Sequence, residues 1–294
     1  MQYLLLIRPK EWIKNFFLFI PLFFAGEIFH LSKVIDVFWG FLSFSLVASS
    51  IYIINDYKDI KDDQKHPVKR NRPLAAGTVP RLHALILCFL LMAGGFFLGW
   101  MIKEKLLFVI GIYFLINLGY SMGLKAIPIL DIILLSMGFV LRIKAGSVIT
   151  NIPLSEWIII MVFLLSLLMA AGKRRDDVLL KINTGQDMRK AVKGYNLEFL
   201  NVLLALICAV TIVAYFMYTM SDAVIEKFGT YRLYYTCLFV MAGIMRYLQI
   251  IYISTGAGSP TKILYKDRFI QVTILLWIAS FYLIIYMKDI TIFI

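Results

Sequence analysis

Nine apolar runs, each about long enough to cross a bilayer as a helix, dominate this sequence and leave few folds open to it. They fall at about 12–29, 35–55, 82–101, 106–123, 127–149, 155–172, 196–219, 231–253 and 269–287. A bilayer core has no water for unpaired backbone groups, so such runs fold as a helical bundle. The 294 residues are 61% hydrophobic and 16% charged. Soluble domains run to about half apolar and about a quarter charged. The expected class is an all-α integral membrane protein, one polytopic domain over 1–294 with about nine transmembrane helices.

The joins between the runs set the orientation. With the N-terminus in the cytoplasm, Arg8, Lys10 and Lys14 share a side with the joins after runs two, four, six and eight. Those joins hold most of the Lys and Arg; the other side keeps Lys33, Lys103, Lys105, Lys227, Arg232 and Lys288. The positive-inside bias therefore expects a multi-pass protein of the cell membrane, with N-terminus and polar cap cytoplasmic and C-terminus outside. The same bias accounts for the net charge of +12 without a nucleic-acid partner. Cys88, Cys208 and Cys237 all lie inside apolar runs and read as packing residues, not as a disulfide framework or zinc site. MQYLLLIRPKEWIKN has too short an apolar core and no small-residue cleavage site for a secretory leader.

The chemistry is densest at NDYKDIKDDQKHPVKRNRPLAAG, residues 55–77. If helix continues past run two, Asp56, Asp59 and Asp63 stand at i, i+3 and i+7, and Asn55 pairs with Asp59 at i, i+4. Carboxylates on one face repel unless a cation sits among them, and at a helix C-terminus they also oppose the macrodipole. All-oxygen donors favour a hard ion, and Mg²⁺ is the usual choice where phosphates complete the shell. Asn55, Asp56, Asp59 and Asp63 are the expected metal ligands. Lys69, Arg70 and Arg72 follow in a loop marked by Pro67 and Pro73, placed to fold over a bound phosphate. His66, a lone loop histidine, reads as solvated.

NDxxDxxxD followed by RNRPLAAG resembles the UbiA superfamily of intramembrane prenyltransferases. That resemblance implies a nine-helix bundle with a cytosolic polar cap, an Mg²⁺-diphosphate site and a lateral opening for lipid. Six blocks in order are similar to one branch of the superfamily: RPKEWIKN at 8–15, residues 55–80, YSMGLKAIPILDI at 120–132, GFVLRIKAGS at 138–147, GKRRDD at 172–177 and KDRFIQ at 266–271. The branch joins a decaprenyl-type polyprenyl phosphate to 5-phosphoribosyl 1-diphosphate (PRPP). Prenyl transfer to an aromatic or other small acceptor is the alternative within the superfamily. A transporter or lipid-phosphate flippase is a minor one, since the acids gather at one face and not at the midplane.

Active-site loops are expected at about 56–81 and 173–195. In the second loop the aromatic prenyltransferases carry a second aspartate motif, whereas this chain has Lys173 and Arg174, which can neutralise a phosphate. The branch tends to read GKRxxE, so Asp177 is one methylene shorter than its counterpart. Asp56, Asp59, Lys173 and Arg174 are the catalytic candidates. Lys14, Lys69, Arg70, Arg72, Tyr120, Lys125, Arg142 and Asp177 join them as substrate-binding candidates. Asp131 stands six residues past Lys125 and reads equally as its partner or as a catalytic group. Arg142 lies inside run five, where an arginine is a functional candidate by default; snorkelling to the outer interface is its other reading. The expected partners are PRPP, a polyprenyl phosphate and the bilayer, and the sequence is compatible with a homo-oligomer.

Overall fold

The computed structural model describes residues 2–65, 69–184, 194–253, 263 and 266–286. His66, Pro67, Asp187, Arg189, Lys190, Lys193, Lys262 and Lys288 lie outside the described residues. Among the described ones all regular structure is helical. The helices are α1 (Gln2–Ile7), α2 (Ile20–Ala25), α3 (Leu31–Lys58), α4 (Ile60–Lys65), α5 (Arg81–Ile102) and α6 (Glu104–Met122). They continue with α7 (Leu130–Thr150), α8 (Glu156–Thr184), α9 (Leu197–Thr219), α10 (Asp222–Phe228), α11 (Cys237–Ile253) and α12 (Arg268–Tyr286). Among the described residues, seven helical stretches are long and apolar enough to cross a membrane: α3, α5 to α9, and Arg232–Ile253.

The first and last of the nine expected runs fall outside those seven stretches. The first becomes a 3₁₀ run, Pro9–Phe19, that passes directly into α2. A 3₁₀ helix rises about 2.0 Å per residue, so these two pieces together still reach about 30 Å, the depth of the hydrocarbon core. The last, α12, spans 19 residues and is apolar over Arg268–Ile284. The protein is thus a multi-pass, all-α membrane protein.

The chain divides into two compact units, the first 1–125 with 137–154 and the second 126–136 with 155–294. In the first, Phe44, Val47 and Ile51 of α3 pack with Ile110 and Tyr113 of α6 and Leu141 and Ala145 of α7. Small residues bring the backbones close: Ser43 Oγ on α3 donates to Gly95 O on α5 at 2.7 Å. At Gly146 of α7 an added methyl would stand 2.0 Å from Leu18 O in the 3₁₀ run. The obstacle is backbone, which cannot rotate aside. Gly146→Ala is therefore expected to cost at least about 1–3 kcal/mol. A melting temperature in detergent equal to that of the parent protein would contradict this.

In the second unit, Leu168 and Ala171 of α8 pack with Leu204 and Ile207 of α9, Ile244 and Ile251 of α11, and Ile270 of α12. Asp267 starts α12: its Oδ1 accepts from Ile270 N at 2.9 Å, and Oδ2 pairs with Arg246 at 2.7 Å. The Arg246 hydrogen bond holds the Asp267 carboxyl below the usual range. Helix α8 corrects the expected loop from 173, because it continues unbroken to Thr184. Its charged turn, KRRDD, stays helical because its arginines find partners inside the unit. Arg175 is buried, donating to Asn201 Oδ1 at 2.7 Å and Ile251 O at 2.8 Å.

Candidate active site

The acidic segment belongs to the first unit. Helix α3 ends at Lys58 and α4 begins at Ile60, with Asp59 at the junction. Asp59 N still donates to Asn55 O at 3.0 Å and Asp63 N to Asp59 O at 2.7 Å, so the i, i+4 register carries through the break. Asp56 and Asp63 are buried. Their carboxylates meet at one guanidinium nitrogen: Arg72 Nη1 donates to Asp56 Oδ1 at 3.0 Å and to Asp63 Oδ2 at 2.7 Å. The other pair closes on an ammonium. Lys125 Nζ lies 3.2 Å from Asn55 Oδ1 and 2.7 and 2.6 Å from the two Asp59 oxygens.

Arg8, one of the N-terminal bases of the positive-inside bias, completes this cluster. Arg8 Nη2 reaches both oxygens of Asp56, at 2.5 and 2.7 Å, and its guanidinium lies 5.3 Å from the centre of the Tyr52 ring. It does so from a left-handed backbone, φ 56°, just ahead of Pro9. A non-glycine residue there is uncommon. Serines of α3 hold the segment: Ser49 Oγ donates to Ile7 O at 2.8 Å and accepts from Trp12 Nε1 at 3.0 Å. Ser45 Oγ accepts from Asn15 Nδ2 at 2.8 Å. Ser45, Ser49, Tyr52 and Asp56 are spaced 4, 3 and 4 apart, which is one helical face. The RPKEWIKN block was the available signal for Arg8; its charge alone did not separate it from an interfacial base.

Other expected residues are placed differently. Arg142 does not snorkel outward. Its side chain is buried and turns back toward Gly138 O (2.8 Å), Asn15 Oδ1 (2.8 Å) and Tyr113 OH (2.9 Å). The rings of Phe44, Tyr113 and Phe139 lie 5.0 to 5.6 Å from its guanidinium carbon. Lys14 pairs with Glu11 on its own 3₁₀ turn. Lys69 and Arg70 stand in a short 3₁₀ turn, Lys69–Asn71, with Arg70 exposed. Tyr120 is half-buried in the last turn of α6.

The basic segment belongs to the second unit. Lys173 is exposed, but Arg174 is 1% exposed. Its Nε donates to Asp131, at the start of α7, and its Nη1 to Asp177 Oδ2 at 2.9 Å. Asp131 thus partners Arg174, while Lys125 partners Asp59. Tyr195 OH donates to Asp131 Oδ1 at 2.7 Å and accepts from Ile129 N at 2.5 Å. Burial first, then the bond to Asp131, raises the Tyr195 phenol above its usual range. Ile129 has φ 69°, an outlier for a β-branched residue, and Tyr195 holds it there. Nothing in the sequence marked Tyr195.

Residues 16–182 match the family model described as the UbiA prenyltransferase family. The chain belongs to that family. It is 36% identical over 289 residues to the decaprenyl-phosphate phosphoribosyltransferase of Mycolicibacterium smegmatis, covering 93% of this chain and 89% of that one. With the protein of the same name from Corynebacterium glutamicum it shares 32% over 286 residues, 95% of this chain and 85% of that one. A UbiA homolog from Archaeoglobus fulgidus, described as bound to GPP and Mg²⁺, has a similar fold, with TM-score 0.72 and 22% identity. That match covers 97% of this chain and 99% of the homolog. The protein is therefore a transferase of the UbiA family, with the family's fold.

The donor set of this UbiA-family member can be tested against a divalent ion. Among the described residues no three His, Cys, Asp or Glu side chains form a ready cage. Instead the four oxygen donors make two seats, Asn55 with Asp59 and Asp56 with Asp63, each gathered around a protein cation. The four expected donors thus gather as two pairs. Mg²⁺ is usually held by one or two carboxylates, with waters and substrate phosphates completing the shell. The residues fit that pattern.

Proposed function

We propose that this enzyme moves 5-phosphoribose from PRPP to a polyprenyl phosphate of the decaprenyl type and releases diphosphate. The observation that carries the reading is the near full-length similarity to transferases named for that reaction. The residue types agree with it: an acidic segment with matched bases, and Lys173 and Arg174 where aromatic prenyltransferases of the resembling family carry more acid. The acidic segment would face the cytoplasm, where the soluble donor is found and where the positive-inside bias puts it.

The departing group is a diphosphate, and the bond that breaks is its oxygen's bond to the anomeric carbon of ribose. The electron pair leaves with the diphosphate. Bound Mg²⁺, with ligands drawn from Asn55, Asp56, Asp59 and Asp63, would supply Lewis-acid stabilisation of that leaving group. Lys69, Arg70 and Arg72 bring further positive charge to its oxygens. An oxygen of the lipid phosphate, already anionic at neutral pH, forms the new bond to the anomeric carbon. No proton need move, and no general base is required of the chain. Lys173, exposed on α8, would add a cation for a phosphate, and Arg174 ties α8 to the start of α7. The apolar helices hold the polyprenyl tail.

The test supplies labelled PRPP and polyprenyl phosphate to the purified protein in lipid nanodiscs. Labelled lipid and diphosphate should form, and chelation of divalent ions by EDTA should stop both. Turnover with a prenyl diphosphate and an aromatic acid, and none with PRPP, would replace this reading with the prenyltransferase alternative. Uptake into vesicles without diphosphate release would replace it with a transporter.

A further inference from the structure

Three carboxylates of the acidic segment, Asp56, Asp59 and Asp63, are already matched by cations of the chain itself. Asp56 takes Arg8 and Arg72, Asp63 takes Arg72, and Asp59 takes Lys125. Three negative groups face three positive ones, so the cluster is neutral before any ligand arrives. Neither seat offers a spare charge. The Lys125 ammonium stands among the Asn55 and Asp59 oxygens, and the Arg72 guanidinium bridges Asp56 and Asp63.

We infer that Arg8, Arg72 and Lys125 occupy the two metal seats of the resting protein, so that a divalent ion enters only together with a polyphosphate. This rests on the metal-dependent reading above and adds an order of events to it. A divalent ion arriving alone must displace an ammonium or a guanidinium from its carboxylate, and it leaves a surplus of two positive charges in a partly buried site. An arginine cannot shed its proton to relieve that surplus. A diphosphate changes both conditions. It brings negative charge to balance the ion, and its oxygens accept the displaced N–H groups in bidentate geometry.

The local structure suits such an exchange. Ser49 fixes the backbone around Arg8 through Ile7 and Trp12, independently of the Asp56 pair. The Arg8 guanidinium can thus change partner while its segment stays in place. Arg72 likewise has its backbone held in a turn, with Arg72 N on Lys69 O at 2.9 Å and Ala76 N on Arg72 O at 2.8 Å. Arg8 thereby becomes a polyphosphate-binding residue, a role that neither its charge nor its place in the sequence assigns.

The experiment measures Mn²⁺ binding by electron paramagnetic resonance on the full chain in nanodiscs, with and without inorganic pyrophosphate. Protein-free samples correct for Mn²⁺ bound by pyrophosphate in solution. The wild type should bind Mn²⁺ about 30-fold more tightly when pyrophosphate is present, a coupling of ordinary allosteric size. Lys125→Gln and Arg8→Gln, tested singly, should each bind Mn²⁺ alone about 10-fold more tightly than wild type and lose most of the pyrophosphate enhancement. A gain of affinity is not a result that misfolding gives. Wild type binding Mn²⁺ equally well with and without pyrophosphate would overturn the inference and leave the transferase reading standing. Variants that gain nothing would overturn it too. Binding in neither condition, by wild type and both variants, would remove the metal-dependent reading and this inference together.

Discussion

Asp59→Ala is expected to lower transfer of phosphoribose by on the order of 10²–10³-fold or more while leaving the melting temperature almost unchanged. Both halves follow from where Asp59 lies. Its side chain is 24% exposed and its partner Lys125 30% exposed. Partly exposed ion pairs of this kind contribute roughly 0–1 kcal/mol, so the fold loses little. Chemistry loses more, because Asp59 supplies both carboxylate oxygens of the seat it shares with Asn55. Asp62 is the control. It stands three residues on, is exposed, and makes no ion pair among the described residues. Initial rates for Asp62→Ala should stay within about twofold of wild type, as expected for a surface side chain away from any special contact. Equal rates for the two variants would show that acidity of the segment, and not the seat, is what counts.

Arg174→Ala should do the reverse and act first on stability. Asp131 is fully buried, with Arg174 on one oxygen and the Tyr195 hydroxyl on the other. Removing one member of a buried ion pair leaves an uncompensated charge and costs about 3–5 kcal/mol. For a chain of this size that corresponds to a drop in melting temperature on the order of 10 °C. Changing both partners to apolar residues of similar size, Arg174→Met with Asp131→Leu, should recover much of the loss, since buried pairs gain little over well-packed hydrophobes. Thermal unfolding in detergent, followed by intrinsic fluorescence, reads both. A single variant that melts like wild type but needs far more PRPP would return Arg174 to the role of a direct phosphate ligand.

The contrast between these two residues shows how far charge in a sequence carries. Lys173 and Arg174 are adjacent and read alike as phosphate-binding cations. On a helix, neighbours point about 100° apart. One turns outward and the other inward, and which does which depends on the carboxylate that waits on α7. The same limit applies to Asp131 and Lys125, which nearness in sequence makes plausible partners. Each instead finds its countercharge far along the chain, at Arg174 and Asp59. Arg142 shows it again: its cost within a membrane is plain from sequence, but Asn15, Phe44 and Tyr113, which help accommodate it, come from other elements.

What the sequence determined by itself is whatever depends on local pattern. Runs of apolar residues define the membrane helices, the charged end of α8 apart, to within a few positions, because each run must satisfy its own backbone in lipid. The i, i+3, i+7 spacing places Asp56, Asp59 and Asp63 together, because a helix repeats every 3.6 residues. The order of blocks along the chain names the family. Only the tertiary structure decided how the charges pair. It placed Arg8 on Asp56, Arg72 between Asp56 and Asp63, Lys125 on Asp59, and Arg174 beneath Asp131. The physical reason is range. Burial and ion pairing join residues separated by tens of positions, and nothing in the local pattern records which distant side chain will arrive.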